Sequence, residues 1–243
     1  MQITSLTNAK VKQWVKYHEK KYRDKDGKFL VEGEHLIEEA IQAGLIECII
    51  CEIGYPNHYD GYPTYEVTKE IMNKISVRDS KANIMAVVHY PNIQKDSSHI
   101  LMCDGVQDPG NLGTLIRTAC SFGYDTIVLS NKCADVFNEK VIRSTQGALF
   151  HVAIQRGSLI DMIDAYRKDG YHIYATALQN AKPLQEVSFH FKHVLIVGNE
   201  GSGVTQEVLA QADQSIYIEM KTFESLNVAI AGAICMYELT KEE

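Results

Sequence analysis

The chain has 243 residues, 45% of them apolar and 23% charged, and a formal net charge of −7. That length can bury a sizeable core as one domain or two, and the composition is that of a globular protein rather than a disordered or fibrous one. No run approaches the ~20 apolar residues of a membrane span, and the polar stretch Met1–Lys12 lacks the apolar core of a secretory signal, so a cytoplasmic protein without membrane partners is expected. Cys48, Cys51, Cys103, Cys120, Cys133 and Cys235 are scattered through apolar runs, which fits reduced core thiols better than a disulfide framework. The lone Cys48-x-x-Cys51 has no second pair, and no metal is expected.

The acidic balance is not uniform. Residues 1–30 hold eight Lys/Arg against three acids, a net of +5, which leaves −12 on the remainder. A basic arm on an acidic body is a phosphate-reading device, and Lys10, Lys12, Lys16, Lys20, Lys21 and Arg23 are the residues expected to meet phosphate. In the same stretch Val11, Trp14, Val15, His18 and Tyr22 share one helical stripe, so a single helix is predicted up to the Asp26-Gly27 break. A strand at 29–31, a helix from Glu34 to Gly44, strands at 48–52 and 64–67, a helix at 69–75 and a strand at 84–89 follow as a small α/β unit. Tyr90 to His99 gathers Pro, Asn, Lys, Asp and two Ser between strand-like runs, the best linker in the chain, and places a boundary near residue 95.

Beyond it strand and helix alternate: strand 100–104, helix 111–122, strand 126–130, helix 138–144, strand 149–154, helix 158–168, strands 172–177 and 193–197, helix 205–212, strand 215–220 and helix 225–239. Such alternation predicts a mostly parallel sheet with helices on both faces. In that architecture the loops at the carboxyl ends of strands carry the ligand site, and three of them stand out. Asp104 to Arg117 (DGVQDPGNLGTLIR) runs from a buried strand into a helix with Asn111 where an N-cap belongs and Arg117 off the apolar stripe. Val197 runs into Gly198-Asn199-Glu200-Gly201, whose glycines let backbone approach a ligand closely. Ile218-x-Met220 runs through Lys221-Thr222-Phe223-Glu224 into Ser225-Leu226-Asn227-Val228 and a long apolar helix.

These three stretches, in this order, resemble the three motifs of the SpoU/TrmH branch of the SPOUT RNA methyltransferases, over roughly residues 98–243. The resemblance implies a trefoil knot in the C-terminal domain, residues 96–243, and a ribosomal-protein-like RNA-binding domain over residues 1–95. It implies S-adenosylmethionine as methyl donor, a ribose 2′-hydroxyl of rRNA or tRNA as acceptor, and a homodimer whose active site draws on both protomers. Cofactor-binding roles fall on Gly198, Gly201, Ile218, Met220, Leu226 and Val228. Catalytic roles fall on Arg117, Asn111, Glu200, Ser225 and Asn227, with Arg117 as base or as stabiliser of the forming alkoxide; a guanidinium is a poor base because it stays protonated. The third motif departs from the pattern, with Glu219 in place of the usual Pro, Glu224 in place of the Gly before Ser225, and Ala229 in place of Ser. The alternative is a knotted protein that binds RNA or cofactor without methyl transfer. Gly198-x-x-Gly201-x-Gly203 runs opposite to the dinucleotide fingerprint, and no phosphate-loop GK[ST] is present.

Overall fold

A computed structural model describes residues 1–56, 58–77, 82–188, 190–222 and 225–241. Its contacts divide the chain into two compact units, Met1–Asn92 with Phe137–Phe150, and Ile93–Val136 with His151–Glu243.

In the first unit, β1 (Gln2–Ile3), β2 (Lys28–Glu32), β3 (Ile46–Glu52), β4 (Thr64–Val67) and β5 (Ile84–His89) form a mixed sheet in the order β1-β4-β3-β5-β2. Around it lie α1 (Ala9–Lys16), α2 (Lys20–Asp26), α3 (Glu34–Gln42) and α4 (Lys69–Ile75). Val11 and Trp14 of α1 pack with Ile71, Met72 and Ile75 of α4, and the Trp14 ring meets Tyr65 edge-on at 5.5 Å. The single N-terminal helix expected from periodicity is two helices. Arg23 turns inward, only 4% exposed, and its Nη1 donates to the carbonyl oxygens of Tyr17 and His18 at 2.8 Å. Those carbonyls lie at the end of α1, where a helix leaves its last acceptors unsatisfied. Arg23 is therefore a helix-break residue in this structure, not the exposed RNA contact its place in the basic arm suggests.

The second unit begins with β6 (His99–Cys103), α5 (Pro109–Ser121) and β7 (Thr126–Ser130). The segment Phe137–Phe150, with α6 (Glu139–Thr145), packs in the first unit, where Phe137 stacks on Tyr90 at 3.8 Å. It lies on the C-terminal side of the residue-95 boundary, and only spatial contact groups it with the earlier residues. β8 (Ala153–Gly157), α7 (Leu159–Lys168), β9 (His172–Thr176), β10 (Lys182–Pro183), β11 (His193–Val197), α8 (Gln206–Leu209), β12 (Gln214–Tyr217) and α9 (Val228–Leu239) complete the unit. Among the described residues seven strands pair in parallel, in the order β10-β12-β9-β11-β6-β7-β8. The strand expected at 149–154 begins instead at Ala153: Gln146 (φ 49°) and Gly147 (φ 93°) end α6 in left-handed conformations, and Ala148–Phe150 form a 3-10 turn. α8 is shorter than the 205–212 expected, and β1 and β10 are two-residue strands too short for a periodic signal. No described helix is long and apolar enough to cross a membrane, and among the described residues no group of three metal-ligating side chains comes together. Cys48 and Cys51 are both buried free thiols, and burial pushes the Cys48 thiol up to about 11.

The β6, β9 and β11 amino ends bury a histidine cluster. His193 Nδ1 bonds the His190 carbonyl at 2.8 Å, which requires a proton on Nδ1, and its Nε2 then accepts from the Tyr124 hydroxyl at 2.6 Å. Burial lowers the His193 pKa to about 4, and burial with the nearby His190 lowers that of His172. The unfolded chain takes up these protons near the ordinary histidine pKa of ~6.5, whereas folded His193 takes one only near 4, so acid favours unfolding between those values. Stability in chemical denaturation is expected to fall as pH drops from 6.5 to 4, with a slope approaching ~1.4 kcal/mol per pH unit for one proton. That component should vanish in His193→Gln; a His193→Gln profile parallel to wild type would refute the assignment.

Candidate active site

The loops that follow β6 and β11 meet because these strands are sheet neighbours in register, Val197 opposite Cys103. The Asp104 side chain, 5% exposed, accepts the Thr205 N–H at 2.9 Å, and Asn199 Nδ2 donates to the Gly105 carbonyl at 2.8 Å. Asn199 Oδ1 also accepts the N–H groups of Gly201 (2.9 Å) and Ser202 (3.1 Å), folding Asn199–Gly203 into a closed turn. Sequence reasoning gave Asp104 and Asn199 no individual role. Their signal was positional: short polar side chains at strand ends, the type that bonds local backbone.

Gly198 is required for a reason other than ligand approach. A Cβ there would lie 2.0 to 2.4 Å from backbone atoms of Gly203 and Val204, so the turn closes on Gly198 itself. Gly201, in contrast, has only Asn199 Oδ1 at 3.6 Å near its ideal Cβ and leaves the turn's outer face open.

The N-terminus of α5 differs from expectation in a way that matters. Asp108, not Asn111, is the N-cap: its Oδ1 accepts the Asn111 N–H at 2.8 Å, and Pro109 occupies the first turn, where its missing N–H costs nothing. Asn111 is thus inside the helix, with its side-chain amide available for other bonds. Its Nδ2 donates to Glu200 Oε1 at 3.1 Å, and its Oδ1 accepts from Asn227 Nδ2 at 2.9 Å. Asn227 in turn caps α9, its Oδ1 accepting the N–H groups of Ala229 (2.9 Å) and Ile230 (3.3 Å).

Glu200 anchors the other end. Its carboxylate accepts the backbone N–H groups of Gln107 (3.2 Å) and Asp108 (3.0 Å) as well as the Asn111 amide. Burial alone would raise its pKa, but the Asn111 side chain and the surrounding N–H groups outweigh it and hold the carboxyl below the usual range. Glu200, Asn111 and Asn227 therefore form one continuous relay joining all three loops.

Around this relay the other predicted residues are distributed unequally. Ile218, Met220 and Val228 are half-buried, while Ser225 and Leu226 are exposed; Phe223 and Glu224 of the third stretch lie outside the described residues. Arg117 is exposed on α5, and among the described residues its guanidinium makes no ion pair. It stands outside the relay. α9 packs on α5 through Gly232, whose Cβ would come within 2.6 Å of Leu115 Cδ2, and presents Ile230, Ile234 and Tyr237 on its outer face. In the first unit Lys10 lies 4.7 Å over the Tyr65 ring, Lys16 and Lys21 lie 5.1 and 5.5 Å from the Tyr22 ring, and Lys20 pairs with Asp24, while Lys12 is exposed.

Residues 98–237 match the SpoU rRNA Methylase family, and residues 8–86 match the MRM3-like substrate binding domain. The chain is 41% identical to the 23S rRNA (guanosine(2553)-2′-O)-methyltransferase RlmP of Bacillus subtilis (strain 168), over 98% of each chain. It is 30% identical to an uncharacterized tRNA/rRNA methyltransferase of Synechocystis, over 99% of this chain and 94% of the relative. An AdoMet-bound rRNA methyltransferase from Sinorhizobium meliloti superposes with a TM-score of 0.87 at 29% identity, covering 100% of this chain and 98% of that one. A TrmH-family RNA methyltransferase from Porphyromonas gingivalis superposes with a TM-score of 0.86 at 30% identity, covering 98% of this chain and 100% of that one.

The relay makes a thermodynamic prediction. In a double-mutant cycle of Asn111→Ala and Asn227→Ala, read by chemical denaturation, the pair should couple by about 0.5–1.5 kcal/mol. Strict additivity would show that the Asn227–Asn111 bond is not formed in solution.

Proposed function

The chain belongs to the SpoU rRNA methylase family, and from that premise we propose that it transfers a methyl group from S-adenosylmethionine to a ribose 2′-hydroxyl of 23S rRNA. The observation that carries this reading is the Glu200–Asn111–Asn227 relay, which fastens three distant loops at one end of a parallel sheet. The RlmP relative, alike over nearly its full length, supports the choice of 23S rRNA over tRNA.

The residues present fit an adenosyl group. β12 and β11 flank β9, so the loops that follow them open on the same sheet edge. The turn after β11 is closed with its outer face clear at Gly201, and the stretch after β12 offers Leu226 exposed with Ile218, Met220 and Val228 half-buried. Backbone groups of such turns suit an adenine edge, and the apolar side chains suit its faces. When bound, the cofactor supplies an electrophilic methyl group.

Arg117 serves as an electrostatic stabiliser. Exposed guanidinium stays protonated and cannot take the hydroxyl proton, which passes to solvent water. The guanidinium favours the negative charge that grows on the ribose oxygen and pairs with adjacent phosphate. Asn111 and Asn227 act mainly by holding the loops, since both ends of the Asn111 amide are already engaged. Glu200 remains ionised and fixes the α5 N-terminus, and Ser225, exposed beside Asn227, contacts the substrate side.

The working form is a homodimer. Leu226, Ile230, Ile234 and Tyr237 expose apolar surface at the start and along one face of α9, a pattern that marks an interaction surface. A second copy of α9 covers this stripe and brings Arg117 of one protomer to the cofactor loops of the other. Residues 1–95 form the RNA-binding domain, with Lys10, Lys12, Lys16, Lys20 and Lys21 as its phosphate contacts, and residues 96–243 form the methyltransferase domain with the trefoil knot of its family. The protein acts in the cytoplasm, where its RNA substrate is made.

Arg117→Ala should lower methyl transfer to unmodified 23S rRNA by at least about 100-fold while cofactor affinity by calorimetry stays within threefold. Full activity in this variant would sink the role assigned to Arg117. The paired change Ile230→Glu and Ile234→Glu should give monomers in sedimentation and lose transfer together; active monomers would exclude the shared site.

A further inference from the structure

The loop after β7 lies beside the stretch that opens α5, on the side away from β11, and outside the three motif stretches. It is held with unusual firmness for an exposed connection. Ser130 Oγ accepts the Gly105 N–H at 2.9 Å, Ala134 N–H donates to the Val106 carbonyl at 2.9 Å, and Cys133 Sγ donates to the Cys103 carbonyl at 3.1 Å. From β8, the exposed Arg156 donates through Nη1 to the carbonyl oxygens of Ser130 and Cys133, both at 3.0 Å, and so fastens the turn.

These bonds use backbone, short side chains and the Arg156 guanidinium, and what they carry is Lys132, exposed at the tip. The Lys132 Cβ is 3.8 Å from the ideal Cβ position of Gly105, and the Asn199 Cβ is 3.9 Å from the same point. Gly105, at φ +74°, therefore sits between Lys132 and the Asn199 turn, and the lysine stem starts at the rim of the relay. Three carboxylates of the neighbouring loops are committed elsewhere. Glu200 is taken by Gln107, Asp108 and Asn111, Asp108 by the Asn111 N–H, and Asp104 by the Thr205 N–H. Among the described residues Lys132 makes no ion pair.

A free ammonium on a rigid loop, at the edge of an acidic chain that must receive a polyanion, is placed to hold phosphate. We propose that Lys132 is an RNA-phosphate contact at the methyl-transfer edge, holding the backbone next to the target ribose. This assignment rests on the reading of the site as an RNA methyltransferase, and it adds a substrate contact outside the basic N-terminal arm.

The test uses the full-length protein and unmodified 23S rRNA transcribed in vitro. Lys132→Ala should raise KM for the RNA about three- to tenfold with kcat within twofold and cofactor affinity unchanged. The dependence of log binding constant on log salt should become shallower by about 0.7–1, the share of one phosphate contact. Lys132→Arg should restore both quantities, because the charge is kept. Wild-type KM and salt slope in Lys132→Ala would overturn the proposal, as would a fall in cofactor affinity, which would mark the lysine as part of the loop's framework. If wild-type protein binds the transcript without methylating it, the methyltransferase reading fails, and the salt slope alone still decides the phosphate contact.

Discussion

A single asparagine amide bears the geometry of this site. Asn111 gives a hydrogen to Glu200 and takes one from Asn227. These two bonds add α9 to the frame in which Glu200 already holds the α5 N-terminus through the Gln107 and Asp108 N–H groups. Loops at the carboxyl edge of a sheet cannot be fixed by apolar burial, because they must stay open to a ligand. Directional polar bonds are the remaining means. Each contributes only about 0.5–1.5 kcal/mol net, or up to about 3 when one partner is ionised, yet together they remove the freedom that a loose loop would spend on binding.

The relay also separates holding from chemistry. Residues inside it have their polar atoms occupied, whereas among the described residues Arg117 on the exposed face of α5 and Lys132 on the loop after β7 make no ion pair. On the proposed reading, substrate charge meets cations that lose no ion-pair partner among the described residues. The lysines of the first unit behave differently: Lys10, Lys16 and Lys21 lie near aromatic rings, and Lys20 pairs with an acid. Such surface contacts are individually weak, so on the proposed reading phosphate can replace them at small cost.

α9 shows how one apolar sequence serves two surfaces. Its inner side closes on α5 through Gly232, and its outer side carries Ile230, Ile234 and Tyr237 into solvent. A helix apolar all round is expected to be buried on all sides, and within one chain this one is not. That mismatch is the physical argument for a second copy.

Strand and helix alternation, the acidic body with its basic arm, and the three loops were all legible in the sequence, because periodicity and breaker residues are local properties of the chain. Helix ends were less so. Asn111 looked like a cap until Asp108 with Pro109 took that place, and the stripe through Tyr22 concealed a break made by a buried Arg23. Gly198 reads in the sequence as a close approach to a ligand, and the close neighbour in the fold is its own loop. Only tertiary structure could join Glu200 to Asn111 and Asn111 to Asn227, or set Lys132 beside Gly105. These pairings depend on which strands become sheet neighbours, and that order follows from the packing of the whole sheet and is written in no single stretch of residues.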